Sequence, residues 1–242
     1  MKNTLLLFSA AFMLTTYSWG QNVQQTGKDL SPQNNVISSN EYKPESGENT
    51  LELQFTPFGN TPVSINGIRA RWFTSRNTAF RLNLFVGANS DTQITQQADN
   101  GLEELKDKSL TYAINVRPGF EKHLKGTNRL SPYFGFEGDI AYQSSIYKSE
   151  SQNGTDVNYI KTINDNGFFR LGANAIAGVD FYLSKKFYLG TELGFGVSFT
   201  KLLSVKVKSD LPGFTEPEPT KRGSSLDIGP NVNAQIRLGY VF

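Results

Sequence analysis

The sequence predicts an all-β fold: an eight-stranded antiparallel up-and-down transmembrane β-barrel with a charged, packed lumen and a lipid-facing apolar exterior. Three observations carry it. Eight segments alternate apolar and polar residues with period two, which is the signature of half-buried strands. The polar faces carry arginine and carboxylate but no lysine. The aromatics of the apolar faces gather at the two ends of the strands. Eighteen phenylalanines, ten tyrosines and twenty-two glycines lean toward strands rather than helices.

Before the strands comes a targeting segment. Lys2 supplies a positive start, Leu5 to Leu14 is an apolar run, and Ser18 and Gly20 precede a plausible cut before Gln21. Ten apolar residues cannot span a bilayer as a helix. Residues 1–20 therefore read as a cleaved signal peptide, outside the fold. Residues 21–48, rich in Gln, Asn, Ser and Glu, bury too little apolar surface to offset ordering and read as a flexible periplasmic N-terminal segment. The barrel occupies 49–242.

Its strands follow in order. Leu51, Leu53 and Phe55 alternate with Glu52 and Gln54; Ile68, Ala70 and Trp72 with Arg69 and Arg71. Phe80, Leu82 and Leu84 alternate with Arg81 and Asn83; Leu110, Tyr112, Ile114 and Val116 with Asn115 and Arg117. Phe134, Phe136, Ile140 and Tyr142 oppose Glu137 and Asp139. Phe169, Leu171, Val179 and Phe181 oppose Arg170 and Asp180. Phe187, Leu193, Phe195 and Phe199 oppose Glu192 and a run of glycines. Last, Ile228, Ile236, Leu238, Tyr240 and Phe242 oppose Asp227 and Arg237.

A soluble barrel would turn the apolar face inward and cover its outside with lysine. Here the polar face carries Arg69, Arg71, Arg81, Arg117, Arg170 and Arg237 against Glu52, Glu137, Asp139, Asp180, Glu192 and Asp227. Matched arginines and carboxylates beside glycines suit close-packed bidentate pairs, and buried charges are tolerable only when paired. This set is the expected lumen network. The aromatics Trp72, Phe80, Phe120, Phe134, Phe181 and Phe187 fall beside short connections, and Phe55, Tyr112, Tyr142, Phe169 and Phe199 beside longer ones. A separation of roughly 8–12 residues on tilted strands spans about 20–30 Å, the height of two aromatic girdles. Short turns at 75–77, 123–131 and 184–186 face long polar loops at 88–108, 144–166 and 201–225, with a shorter loop at 57–64 on the long-loop side. That puts both mature ends in the periplasm.

The signal, the eight segments and the terminal run Ile236-Arg237-Leu238-Gly239-Tyr240-Val241-Phe242 resemble small Gram-negative outer-membrane β-barrels, of the eight-stranded OmpA-like, OmpW-like and "porin-family" types. The resemblance implies that Ile236, Leu238, Tyr240 and Phe242 are the signal read by the barrel-assembly machinery. It implies outer-membrane lipid as surroundings and envelope proteins as partners, met through the long outer loops or the N-terminal tether. No peptidoglycan-binding domain follows the barrel, a departure from full-length OmpA-like proteins that argues against wall anchoring.

Composition excludes much else. Without cysteine there is no disulfide, thiolate metal site or Cys nucleophile, and one histidine cannot build a histidine-rich metal site. No cofactor is expected. A net charge of +2 gives no footing for nucleic acid. No enzyme is expected either: His123 falls in a predicted periplasmic turn, where it reads as solvated rather than as a general base, and Glu137 and Asp139 read as partners for arginines. The acids of loop 88–108 lack calcium-loop spacing. Leu211-Pro212-Gly213-Phe214 and Glu216-Pro217-Glu218-Pro219 suit a contact surface and a rigid exposed loop equally. An eight-stranded lumen is just wide enough for its own side chains. The expected function is a structural or interaction component of the outer membrane, an accessory subunit of a larger envelope complex being one form of it. The alternative is a narrow conduit for small solutes across the outer membrane, apolar ones being what the OmpW-like resemblance implies.

Overall fold

A computed structural model describes residues 42–56, 64–231 and 236–242. The signal peptide, most of the tether, residues 57–63 of the first outer loop, and Val232 and Ala234 lie outside the described residues, as does the Phe55 side chain.

Seven staves of the ring are β1 (Asn49–Thr56), β2 (Ser64–Ser75), β3 (Thr78–Gln96), β4 (Leu105–His123), β5 (Leu130–Asn153), β7 (Phe168–Tyr182) and β8 (Phe187–Leu202). The eighth is built from β10 (Ser224–Asn231) and β11 (Ile236–Val241). Every pairing is antiparallel, and β11 closes the ring by pairing β8 on one side and β1 on the other, from Thr50↔Val241 to Phe55↔Ile236. Closure removes the open sheet edge that lipid could not satisfy. The fold class is the expected one. Among the described residues there is no helix.

The register turns the barrel inside out relative to a soluble one. Leu193 is 58% exposed, whereas Arg71 and Glu52 are 0% exposed. Along β11 the pattern is strict: Ile236, Leu238 and Tyr240 face out while Arg237, Gly239 and Val241 are buried. An apolar outer wall around a charged interior is stable only where the wall meets lipid. The exterior aromatics pair across strands, Phe120 with Phe136 at 5.8 Å and Phe187 with Tyr240 at 5.1 Å near one rim, Tyr112 with Tyr142 at 6.4 Å near the other.

The two ends of the barrel differ from the predicted loops in opposite ways. At the short-turn end, the last residues of the segment expected to be flexible are fixed to the barrel. Gly47 N–H donates to Phe73 O at 2.8 Å, Phe73 N–H donates to Glu48 O, and Arg129 lies over the Tyr42 ring at 4.2 Å. Tyr42 also packs on the buried cluster Tyr182, Tyr188 and Val241. At the other end, the long loops are largely strand. β3, β4 and β5 run on past the girdle, β6 (Asp156–Ile163) pairs the extended β5, and β9 (Lys206–Ser209) pairs β6. This outer sheet is exposed and largely polar, with only scattered apolar residues, so it has no period-two hydrophobic pattern to reveal it. Its hairpins turn at Asn100-Gly101 and Gly154, all with positive φ.

Candidate functional site

The lumen is the chemically distinctive place in the molecule. Its short-turn half is filled by a continuous ion network. Arg71, on β2, is bound by Glu52 at 2.8 Å, Asp180 at 2.8 Å and Glu121 at 2.9 Å. Arg237, on β11, reaches Asp180 at 3.0 Å and Glu52 at 3.1 Å. Arg81, on β3, holds Glu192 at 2.7 Å, Glu137 at 2.9 Å and Glu121 at 3.2 Å. Arg69 links Glu192 at 3.0 Å to Glu52 at 3.4 Å and donates to Asn83. Tyr133 and Tyr188 donate to Glu192 and Glu52, and the guanidinium of Arg71 lies over the Tyr188 ring at 5.0 Å. Each arginine is shared among carboxylates from several strands, so the network ties opposite walls together. The planar fork of arginine suits this sharing; the point charge of lysine does not.

Inward glycines make room for it. A Cβ on Gly239 would stand 1.9 Å from the Tyr188 ring, and one on Gly190 would stand 2.5 Å from the Arg237 guanidinium. Gly190 of β8 and Gly239 of β11 thus accommodate large side chains from the neighbouring strand.

Two expectations need correction. Asp227 does not join the network: it is exposed on β10 and accepts a hydrogen bond from Ser225 Oγ. β10 pairs only β8 among the described residues, so this register position lies beyond the closed ring of charge. The sixth carboxylate is Glu121, which the alternation missed because Pro118-Gly119 breaks the apolar pattern while the backbone continues as strand to His123. His123 is likewise buried in β4 rather than solvated in a turn, with Nδ1 2.9 Å from Ser131 Oγ and Nε2 3.2 Å from Glu121. Serine, histidine and glutamate in a row suggest nucleophile chemistry. Here, however, Arg71 and Arg81 already neutralise Glu121, and all three side chains are packed in the plug.

The outer half of the lumen is different. Arg170 Nε lies 2.8 Å from Asp139 Oδ2, and Arg117 Nε lies 3.3 Å from Asp139 Oδ1. Both guanidinium side chains are about a third exposed, at 30% and 29%. They stand between two cavities of about 220 Å³ and 320 Å³. The remaining network residues of the sequence reading are all inward, whereas the girdle residues Trp72, Phe80, Tyr112, Phe120, Phe134, Tyr142, Phe169, Phe181, Phe187 and Phe199 are all exposed on the outside.

No protein family matches the chain, and no curated protein does. Among solved structures, the chain is similar to CarO2 of Acinetobacter baumannii, with 11% identity and a TM-score of 0.34 over 81% of this chain and 98% of that one. It is similar to CarO of the same organism, with 13% identity and a TM-score of 0.33 over 81% and 96%. Ail, the attachment invasion locus protein of Yersinia pestis, shares 12% identity with a TM-score of 0.31 over 81% and 99%. No residue role passes from any of them to this chain.

Above the membrane segment, Tyr147 O–H and Ser149 O–H each donate to the Asp107 carboxylate at 2.7 Å. The Tyr147 bond, with help from Ser149, holds the Asp107 carboxyl below its ordinary value.

Proposed function

We propose that the chain is an integral outer-membrane β-barrel protein of the Gram-negative envelope, non-enzymatic, serving as a structural or interaction component with its short-turn end in the periplasm. One observation carries this reading: the shared ion network that fills the periplasmic half of the lumen. Arg71 and Arg81 are fully buried among carboxylates, and moving any one of them aside would strand several charges in a low-dielectric interior. Such a lumen holds the wall rigid and leaves the work to surfaces. The surfaces on offer are the outer sheet with the exposed stretch 211–219, and the N-terminal segment that leaves the barrel at its periplasmic end. In this reading Ile236, Leu238, Tyr240 and Phe242 present the assembly signal to the barrel-assembly machinery.

Planar-bilayer recordings test the closed lumen: the purified barrel should add no discrete conductance steps, and reproducible steps would overturn the reading. The native mass in mild detergent then separates a lone barrel from a subunit of an envelope complex.

A second reading, a route for a small apolar solute, draws on one feature. β2 and β3 pair only as far as Ile68↔Leu84, and at that seam an apolar cavity of about 190 Å³ shares Gly67, Leu84 and Phe85 with the 220 Å³ luminal cavity. A solute using it would leave sideways into lipid without crossing the plug. Uptake of an apolar dye by liposomes containing a barrel that is silent in conductance would favour it.

A further inference from the structure

We propose that Arg117 and Arg170 form a binding site for a small monocarboxylate in the outer half of the lumen. Three features of the pair point there.

The first is unspent bonding capacity. Both side chains engage Asp139 through Nε alone. Among the described residues, no hydrogen bond engages the terminal amino groups of either; Arg117 Nη1 comes no nearer to Glu137 than 3.8 Å. Every other luminal arginine binds at least one carboxylate through a terminal amino group at 2.7–3.2 Å. Two planar forks with free ends on one cavity are suited to bidentate capture of an anion.

The second is local charge. Across the whole lumen six arginines balance six carboxylates among the described residues. At this end, however, two guanidinium groups share a single close carboxylate while Glu137 and Glu192 are held by Arg81, which leaves a place for one carboxylate more. A dianion would stand against Asp139, Glu137 and Glu192, all of which also line the cavity.

The third is space and surroundings. A chamber of about 320 Å³ is at the low end of ligand pockets, so the ligand is small. The adjoining chamber adds carboxamides, Asn115 and Gln143, and aromatic side chains, Phe85 and Phe168, with the Phe168 ring 5.8 Å from the Arg170 guanidinium. These suit a carboxylate that carries an apolar or aromatic tail. The sealed half below makes the site a dead end, a place to bind rather than to pass.

Benzoate is the probe, and its neutral isostere benzamide the control, in calorimetric titrations of the folded full-length barrel in detergent. The site predicts one benzoate per barrel at millimolar concentration and no binding of benzamide. Arg117→Gln and Arg170→Gln should each weaken benzoate about tenfold or more, the effect of losing a charge-assisted hydrogen bond. Arg170→Lys keeps the charge, loses the fork, and should weaken it by a smaller factor. If a glutamine variant fails to fold, the Nε–H resonances of Arg117 and Arg170 in the unaltered barrel carry the test: benzoate must shift them and benzamide must not. No benzoate binding, equal affinity in folded variants, or inorganic phosphate bound more tightly than benzoate would each overturn the proposal.

Discussion

The two halves of the lumen are built from the same residue types and end in different states. In the short-turn half each arginine meets two or three carboxylates and no guanidinium is exposed; in the long-loop half two arginines share one close carboxylate, Asp139, and stay about a third exposed. Residue type is therefore a poor guide to what a luminal charge contributes. Its position along the barrel axis decides. Deep in the ring, opposite walls come within reach of one guanidinium, and glycines such as Gly190 and Gly239 let large side chains interleave. Toward the outer rim the walls carry on as a freestanding polar sheet, and the same residues face space.

The comparison can be broken most sharply at Arg71. Arg71→Met leaves Glu52, Glu121 and Asp180 short of a cation and should cost about 3–5 kcal/mol in urea unfolding from lipid vesicles. The matching change Arg170→Met, at a part-exposed pair, should cost no more than about 1 kcal/mol. Equal losses would erase the distinction between the halves.

The outer wall comes next. Leu193, 58% exposed and midway between Phe187 and Phe199, faces the hydrocarbon, so Leu193→Arg should cost roughly 2–4 kcal/mol in the same assay. A neutral result would mean that this face does not meet lipid. Gly239→Ala sets a methyl against the Tyr188 ring and should cost about 1–3 kcal/mol, whereas Gly223→Ala, with open space around it, should be silent.

The smallest effect lies outside the membrane. Tyr147→Phe removes the hydroxyl that holds the Asp107 carboxyl low, so that carboxyl should titrate nearer its ordinary value by NMR. Because the folded value is depressed, the contribution of this contact to the outer sheet is present above the unfolded value and lost as pH falls through the folded one.

The staves were legible because lipid outside and charge inside impose strict alternation on Leu51 to Phe55, on Phe80 to Leu84 and on Ile236 to Phe242. Sequence alone set Arg71 and Arg170 on the same footing, since alternation reports the face of a strand but not the depth along the barrel. It missed Glu121 and placed His123 in a solvated turn because proline and glycine interrupt the apolar partners by which an inward face is recognised. It admitted Asp227 because the register there is inward although the closed ring of charge is not. The outer strands β6 and β9 were hidden for a related reason: a sheet wetted on both faces imposes no periodicity.

The central claim, a sealed short-turn half beneath an accessible long-loop half, is open to direct chemical test because the chain has no cysteine of its own. Thr50→Cys places a thiol in the plug, and Ser198→Cys places one on the outer cavity. Each variant, folded in sealed vesicles, is exposed to a charged thiol reagent, and the rates of modification are compared. The account predicts rapid labelling at position 198 and protection at position 50 until the barrel is unfolded. Comparable labelling of both in the folded barrel would contradict it.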